Sequence, residues 1–273
     1  MEKIIWVVEK GYDESGHNLI EELNTLDNVE VIEYKKYPFK VVDFSDIDLT
    51  KNPVMAYGTI KFIQDFQRTK TYAYPGSYAT FQNYFCTRYY HHYCDDILNA
   101  DHVMLTAGNI IRNKVYMMND RENVFIRPDR PDKPFTGEVV SGGYLYKTIK
   151  KYVDMGTTNE YDIVLLSKAQ KIKCEARIVV ADGVVIDGSM YGKNKKTKSR
   201  DKLAAFIKYV EKLDKTYLPD RVFTFDVVEL EDGRIKIAEL SAFSCIGFYD
   251  LNLKKVVKAV NDVIIKDWIE YNS

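Results

Sequence analysis

This chain has no apolar run approaching the roughly 18 residues that a bilayer-spanning helix needs. Its opening, Met-Glu-Lys-Ile-Ile-Trp-Val-Val-Glu-Lys, lacks the layout of a signal peptide and reads as a buried first strand, Ile4 to Val8. Cysteine is sparse. Cys86, Cys94, Cys174 and Cys245 form no CxxC pair and no zinc spacing, which excludes a disulfide scaffold and fits reduced thiols in a cytoplasmic setting. Cys86, His91, His92 and Cys94 are the one cluster of metal-ligand types, but their spacing matches no familiar zinc pattern, so no metal is expected there. An excess of charge is also missing. The net charge of −1 gives no global field toward nucleic acid or a membrane. No RNP, helix-turn-helix or zinc-finger signature is present, and no internal repeat or long disordered linker interrupts the chain.

What remains is a globular composition. The 273 residues suffice for one large domain or for two or three packed lobes. Strand Ile4–Val8, a helical stretch from His17 to Leu26 and strand Val29–Tyr34 make a β-α-β beginning, typical of an α/β lobe. Pro53 to Gly58 reads as a strand, Ile60 to Thr69 as a helix, and Tyr74-Pro75-Gly76 as a turn. Asp95 to Ala100 is expected to be helical and Val103–Leu105 a short strand. From Val124 the texture changes: a strand ending at Arg127-Pro128, a charged proline-rich loop from Arg130 to Gly137, a helix from Gly142 to Met155 and a buried strand from Asp162 to Ser167. Strands Ile172–Ala181 and Val184–Ser189 flank an Asp182-Gly183 turn, and Arg200–Lys215 and Lys254–Trp268 are amphipathic helices. Gly192 to Lys202 carries six basic residues in eleven, a solvated loop by default and a gate over an anionic ligand in the sharper reading.

A second hairpin carries the chemistry. Val222 to Ser241 holds Asp232-Gly233 between alternating strands. A two-residue loop pairs Glu231 with Arg234 and, counting back, Asp226 with Glu239, whose Cβ atoms would then lie about 4.5–5.5 Å apart. Two carboxylates opposed on a mostly apolar face need a cation or a shared proton. Hard divalent ions such as magnesium take oxygen ligands and commonly accompany nucleotide phosphates. Upstream, Arg127 and Lys133 can neutralise phosphates, Arg127 through a fork and Lys133 as a point charge. The Thr136-Gly137 turn permits close backbone approach. The strand Val164-Leu165-Leu166-Ser167 could offer unpaired backbone groups to an adenine edge.

Four segments therefore fall in order: Phe-Ile-Arg127-Pro with Lys133-Pro-Phe-Thr-Gly137; Ile163 to Ser167; Glu175-Ala-Arg177; and Asp226 with Glu239-Leu-Ser241. This order resembles the ATP-grasp superfamily, and within it the viral and bacterial clade named for two arginines and a lysine. Ile-Asp-Gly-Ser-Met-Tyr191, Gly247-Phe-Tyr249 and, upstream, Tyr57-Gly58, Tyr74-Pro-Gly76 and Asn99-Ala-Asp101 also match, so the resemblance covers nearly the whole chain.

The resemblance implies an α/β and α+β protein with the ATP-grasp fold: an N-terminal α/β (pre-ATP-grasp) lobe over residues 1–110, then two α+β lobes over 111–273 that grip ATP, with the adenine hinge near 162–168. It implies ATP and Mg2+ as cofactors. Arg127, Lys133, Thr136, Gly137, Val164, Leu165, Leu166, Ser167 and Glu175 would bind the nucleotide. Arg177 would meet the γ-phosphate or the substrate carboxylate, and Arg177 and Lys133 would be catalytic. Asp226, Glu239 and Ser241 would hold magnesium. Ser241 stands where many relatives carry asparagine, and a hydroxyl reaches less far.

The implied activity joins a small-molecule or peptide carboxylate to an amine nucleophile through an acyl phosphate, in the cytoplasm, or the host cytoplasm if the chain is phage-encoded. A kinase or phosphotransferase, or a non-catalytic nucleotide-binding protein, would share the same ATP site. Membrane and nucleic acid are not expected partners, and the sequence sets no oligomeric state.

Overall fold

The computed structural model describes residues 3–11, 14–35, 42–113, 122–192 and 199–273. The chain folds as two compact units. One comprises residues 1–80, 174–227 and 239–273, and the other 81–173 and 228–238.

The first unit opens with strand β1 (Ile4–Lys10), helix α1 (Glu14–Leu23), strand β2 (Val29–Lys35), strand β3 (Val54–Tyr57) and helix α2 (Ile60–Thr69). Strand β4 is only Pro75–Gly76, so the residues read as a turn also close the edge of this sheet. The order is β2-β1-β3-β4, with β1 parallel to both neighbours. A strand paired on both sides and covered on both faces reads as a continuous apolar run. That is why Ile4 to Val8 shows no alternation and every residue in it is buried.

Helix α2 forms because Phe62, Ile63 and Phe66 recur at helical spacing and bury one stripe. The Thr59 hydroxyl caps it by accepting from the Phe62 amide at 3.3 Å. Phe44 meets Phe62 and Phe66 edge-on, with ring centroids 5.3 Å apart in both pairs. The main core joins Ile4, Trp6 and Val8 to Val256, Val257, Val260 and Ile264 of helix α7 (Leu253–Asn272). Inside it the Trp6 indole donates to Asn261 Oδ1 at 3.0 Å, which satisfies both buried polar groups.

The later sheet runs β10-β9-β11-β12, with β9 (Ile172–Ala181), β10 (Val184–Tyr191), β11 (Val222–Leu230) and β12 (Ile235–Ala242). The Asp182-Gly183 loop is the expected two-residue turn, with positive φ at both positions (48° and 74°), as a type I′ turn requires. Helix α6 spans Arg200–Lys212 and is capped by Ser199, whose hydroxyl accepts from the Lys202 amide. Most of the Lys-rich stretch, 193–198, lies outside the described residues.

The second unit is built on a wholly antiparallel sheet, β5-β8-β6-β7: β5 (Val103–Thr106), β8 (Ile163–Lys168), β6 (Asn123–Pro128) and β7 (Glu138–Ser141). Helices α4 (Ala107–Asn113) and α5 (Leu145–Asp154) cover one face, with Ile110, Leu145 and Ile149 packed on Val124, Ile126, Val164 and Leu166. Helix α3 (Cys86–Tyr93) precedes this sheet.

Three expectations are corrected. Asp95–Ala100 is not helical: a single 3-10 turn at Cys94–Asp96 gives way to a strand-like bridge from Ile97 to Ile237, and the Leu98 amide bonds the Ile237 carbonyl. Pairing with β12 outweighs local helix preference in so short a segment.

The Asp232-Gly233 loop has three residues, not two. The Leu230 amide bonds the Arg234 carbonyl and the Gly233 amide bonds the Leu230 carbonyl, with Gly233 at φ 86°. Leu230, not Glu231, therefore faces Arg234, and Gly233 takes the left-handed position of a bulged turn.

Finally, β8 does not offer unpaired backbone along Val164–Leu166, because β5 and β6 flank it on both sides. The β5 side ends opposite Leu166.

Among the described residues no helix is long and apolar enough to cross a membrane. All four cysteines are free thiols.

Candidate functional site

In the first unit the hairpin β9–β10 does the positioning. Successive side chains alternate faces on a strand, so Glu175 and Arg177 point the same way. Their direct cross-strand partners are Tyr191 and Ser189. Arg177 forks onto Asp226 of β11, with Nε to Oδ1 and Nη2 to Oδ2 both 2.8 Å, and its Nη1 donates to the Gly247 carbonyl at 2.9 Å. Both partners of the fork are buried. Burial opposes the guanidinium charge, but the adjacent Asp226 outweighs it and holds Arg177 protonated. The cation that Asp226 needs is therefore supplied by the chain itself.

The Arg177 guanidinium also lies over two aromatic rings, 5.7 Å from the Tyr191 centroid and 5.1 Å from that of Tyr249. Those rings stack on each other, 4.7 Å apart and 11° from parallel. Burial raises the Glu175 carboxyl above its ordinary value; a hydrogen bond from Tyr191 partly offsets this, and the Asp226 charge adds to it. The Tyr191 phenol is likewise pushed up by burial and by Asp226 and Glu175. Glu239 and Ser241 lie two apart on β12, both half-buried. The Thr224 hydroxyl donates to the Ser241 carbonyl at 3.5 Å. Burial along β12 steps from Ile237 to Leu240, an interval of three, so its alternation shifts once between them.

In the second unit β6 and β8 pair Arg127 with Leu165 and Phe125 with Ser167, so these four share one face. Val164 and Leu166 turn to the opposite face and belong to the core under α4 and α5. Arg127 is buried and donates from Nη1 to the Ala238 carbonyl at 3.3 Å. Ser167 is buried and its hydroxyl donates to Asn99 Oδ1 at 2.9 Å.

The loop after β6 is braced. Arg130 forks onto Asp132, Phe135 stacks on Tyr152 at 4.6 Å, and Asp129 accepts from both the amide (2.7 Å) and the hydroxyl (3.0 Å) of Thr87. Lys133 is exposed and holds positive φ (50°), while Thr136 and Gly137 are exposed at the entry to β7. A Cβ on Gly137 would lie 3.0 Å from the Phe125 ring, so glycine allows the loop to run this close to β6.

Sequence reasoning gave no role to Tyr191, Tyr249 or the Gly247 carbonyl. The hairpin count could have found Tyr191 opposite Glu175, except that β10 carries a bulge between Val185 and Asp187 that shifts the register by one.

The side chains of β11 and β12 do not form a caged metal site. Among the described residues no group of three or more His, Cys, Asp or Glu side chains is arranged to hold a metal. The hard oxygen donors among the candidate residues of this sheet are those of Asp226, Glu239 and Ser241. Magnesium suits such a sparse set, because it keeps waters and takes phosphate oxygens. Arg127 and Lys133 supply charge of the sign phosphates require.

The model for the ATP-grasp domain, family 2 of the clade named for two arginines and a lysine, matches residues 105–259. Among solved structures, an ATP-grasp RimK domain protein from Sphaerobacter thermophilus aligns with TM-score 0.57 and 14% identity over 96% of each chain. D-alanyl-alanine synthetase A from Vibrio cholerae aligns with TM-score 0.55 and 12% identity, over 97% of this chain and 99% of that one. N5-carboxyaminoimidazole synthetase from Staphylococcus aureus, complexed with ADP, aligns with TM-score 0.61 and 10% identity, over 94% of this chain and 76% of that one. At these identities the likeness is one of fold. No curated protein sequence matches the chain.

Proposed function

The chain belongs to the ATP-grasp proteins, in family 2 of the clade named for two arginines and a lysine, and from that premise we propose that it is an ATP- and magnesium-dependent ligase joining a carboxylate to an amine through an acyl phosphate. The observation that carries this reading is the Arg177–Asp226 fork in the sheet that also holds Glu239 and Ser241. Arg177 uses three N–H groups in the bonds to Asp226 and Gly247, and a guanidinium has five. Two remain for an oxyanion. A buried arginine held at this many points is preorganised, so it stabilises developing negative charge without reorganising.

In this reading residues 1–110 are the pre-ATP-grasp lobe and 111–273 the ATP-grasp lobes. Arg127 and Lys133 neutralise phosphates, and Thr136 and Gly137 let backbone approach them. Leu165 and Ser167, on the Arg127 face of β8, line the nucleotide. Val164 and Leu166 support that strand from the core. Asp226, Glu239 and Ser241 would hold magnesium, which when bound screens the charge of the phosphates. Arg177 contacts the transferring phosphoryl group or the substrate acid. Several structural neighbours are ligases, among them the ATP-grasp ligase PsnB complexed with a minimal precursor and D-cycloserine synthetase DcsG. That company supports an acid and an amine as substrates here, with cytoplasmic ATP as the energy source.

The test is a screen of amino acids and peptides, singly and in pairs, for ADP release and amide product. A ligase releases ADP steadily only when an acid and an amine are both present. Accumulation of a phosphorylated product with no need for an amine overturns the reading in favour of phosphoryl transfer.

A further inference from the structure

The fold spends several contacts on the aromatic pair beside Arg177. Tyr249 holds positive φ (51°), a strained conformation for a residue other than glycine. Its neighbours pin it there. The Gly247 carbonyl accepts from Arg177, the Phe248 amide donates to Ser15 Oγ at 3.0 Å, and the Asp250 amide donates to Ser189 Oγ at 3.1 Å. Phe248 stacks on Tyr57 at 5.0 Å, and the Tyr57 hydroxyl donates to the Ile246 carbonyl at 2.5 Å. The result is a rigid loop that presents an aromatic ring 51% exposed. Exposed aromatics held in strained backbone are a mark of binding surfaces.

The charges around this ring favour a cation. Arg177 is neutralised by its fork to Asp226. Glu175 lies directly across from Tyr191 and shares a face with Arg177. Two acids against one guanidinium leave a net negative charge, next to two π faces that also attract positive charge.

We propose that Glu175, Tyr191 and Tyr249 form the subsite for the amine nucleophile, and that the ammonium group of that substrate is what Glu175 recognises. This rests on the ligase reading and takes Glu175 from the nucleotide to the substrate. The chemistry balances. The bound ammonium gives a proton to the Glu175 carboxylate, and the freed lone pair attacks the acyl phosphate carbon. The C–N bond forms, the carbon–oxygen bond to phosphate breaks, phosphate leaves with the electron pair, and the second amine proton passes to solvent. The subsite then selects a primary amine, such as an amino acid or peptide amine, over alcohols, thiols and acids.

The test uses three four-carbon probes without nucleotide, n-butylammonium, butyramide and butyrate, titrated by NMR into the whole protein and into Glu175→Gln, Tyr249→Ala and Tyr249→Phe. The expected result is binding of the ammonium probe alone, weakened about ten-fold or more in Glu175→Gln, as loss of one charge-assisted hydrogen bond implies. Tyr249→Ala should weaken it and Tyr249→Phe restore it. Equal binding of butyrate or butyramide, or unchanged ammonium binding in Glu175→Gln, overturns the proposal. Calorimetry of ATP-magnesium with the parent protein runs beside it. Absence of nucleotide binding there sinks the ligase reading, whereas nucleotide binding without ammonium selectivity sinks only the amine subsite.

Discussion

Arg127 of β6 donates to the carbonyl oxygen of Ala238, the residue immediately before Glu239. The acceptor is a main-chain oxygen, so the bond does not depend on which side chain stands at 238. The bond also occupies Nη1, so the Arg127 fork is partly oriented before any ligand arrives.

Arg127→Ala and Lys133→Ala should each weaken ATP binding by roughly 1–3 kcal/mol, the range for a lost charge-assisted contact. Calorimetry measures this directly. Unchanged affinity in both variants removes them from the nucleotide site.

Asp226→Asn should abolish magnesium-dependent turnover and also lower stability. Repulsion between Asp226 and Glu239, taken alone, predicts an apo protein as stable as the parent or more so. The fork to Arg177 reverses the sign, because the variant strands a buried guanidinium. Breaking one side of a buried pair costs roughly 3–5 kcal/mol. Denaturant unfolding checks it, and an unchanged midpoint would mean that the fork contributes nothing to the fold.

Glu175→Gln should raise thermal stability at neutral pH, and the gain should shrink in acid. The Glu175 carboxyl is raised in the folded state by burial and by Asp226. Such a group adds stability below its unfolded value and loses it as pH rises through its folded value. The glutamine variant escapes the loss above that window and gains nothing below it. Melting curves from pH 4 to 8 of parent and variant should converge at the acid end, and parallel curves would refute the assignment.

Gly58→Ala should destabilise by about 1–3 kcal/mol, as overpacking does. A Cβ there would lie 2.7 Å from both Glu9 Cβ and Phe62 Cδ1, and 2.9 Å from the Glu9 carboxylate oxygen that accepts from the Thr59 amide. A melting temperature equal to that of the parent would show that α2 can shift without loss.

Where periodicity or turn chemistry was strong, the sequence was readable. Ile60–Thr69 has clean helical spacing and folds over those very residues, and Asp182-Gly183 makes the loop its composition demands. Helix α3 escaped notice because Cys-Thr-Arg-Tyr-Tyr-His-His-Tyr is poor in strong helix formers; it is held by Tyr89, Tyr90 and Tyr93 being buried. At the site, residue types were legible and partners were not. Asp226 stood out as an acid on an apolar strand, but its partner Arg177 lies 49 positions away on β9, and nothing local links them. The irregularity between Val185 and Asp187 displaces the register count of its hairpin by one, enough to hide that Tyr191 faces Glu175, and the Gly233 turn displaces that of the other hairpin.

The core that binds β1 to α7 sets an order of events during synthesis. Trp6 and its bonding partner Asn261 are 255 positions apart. Until residues 253–272 have left the ribosome, the apolar side chains of β1 that α7 covers have no permanent cover. A nascent chain with such long-range closure is slow to fold and prone to aggregate. Shortening α7 should therefore reduce the soluble yield of the protein out of proportion to the contacts it removes.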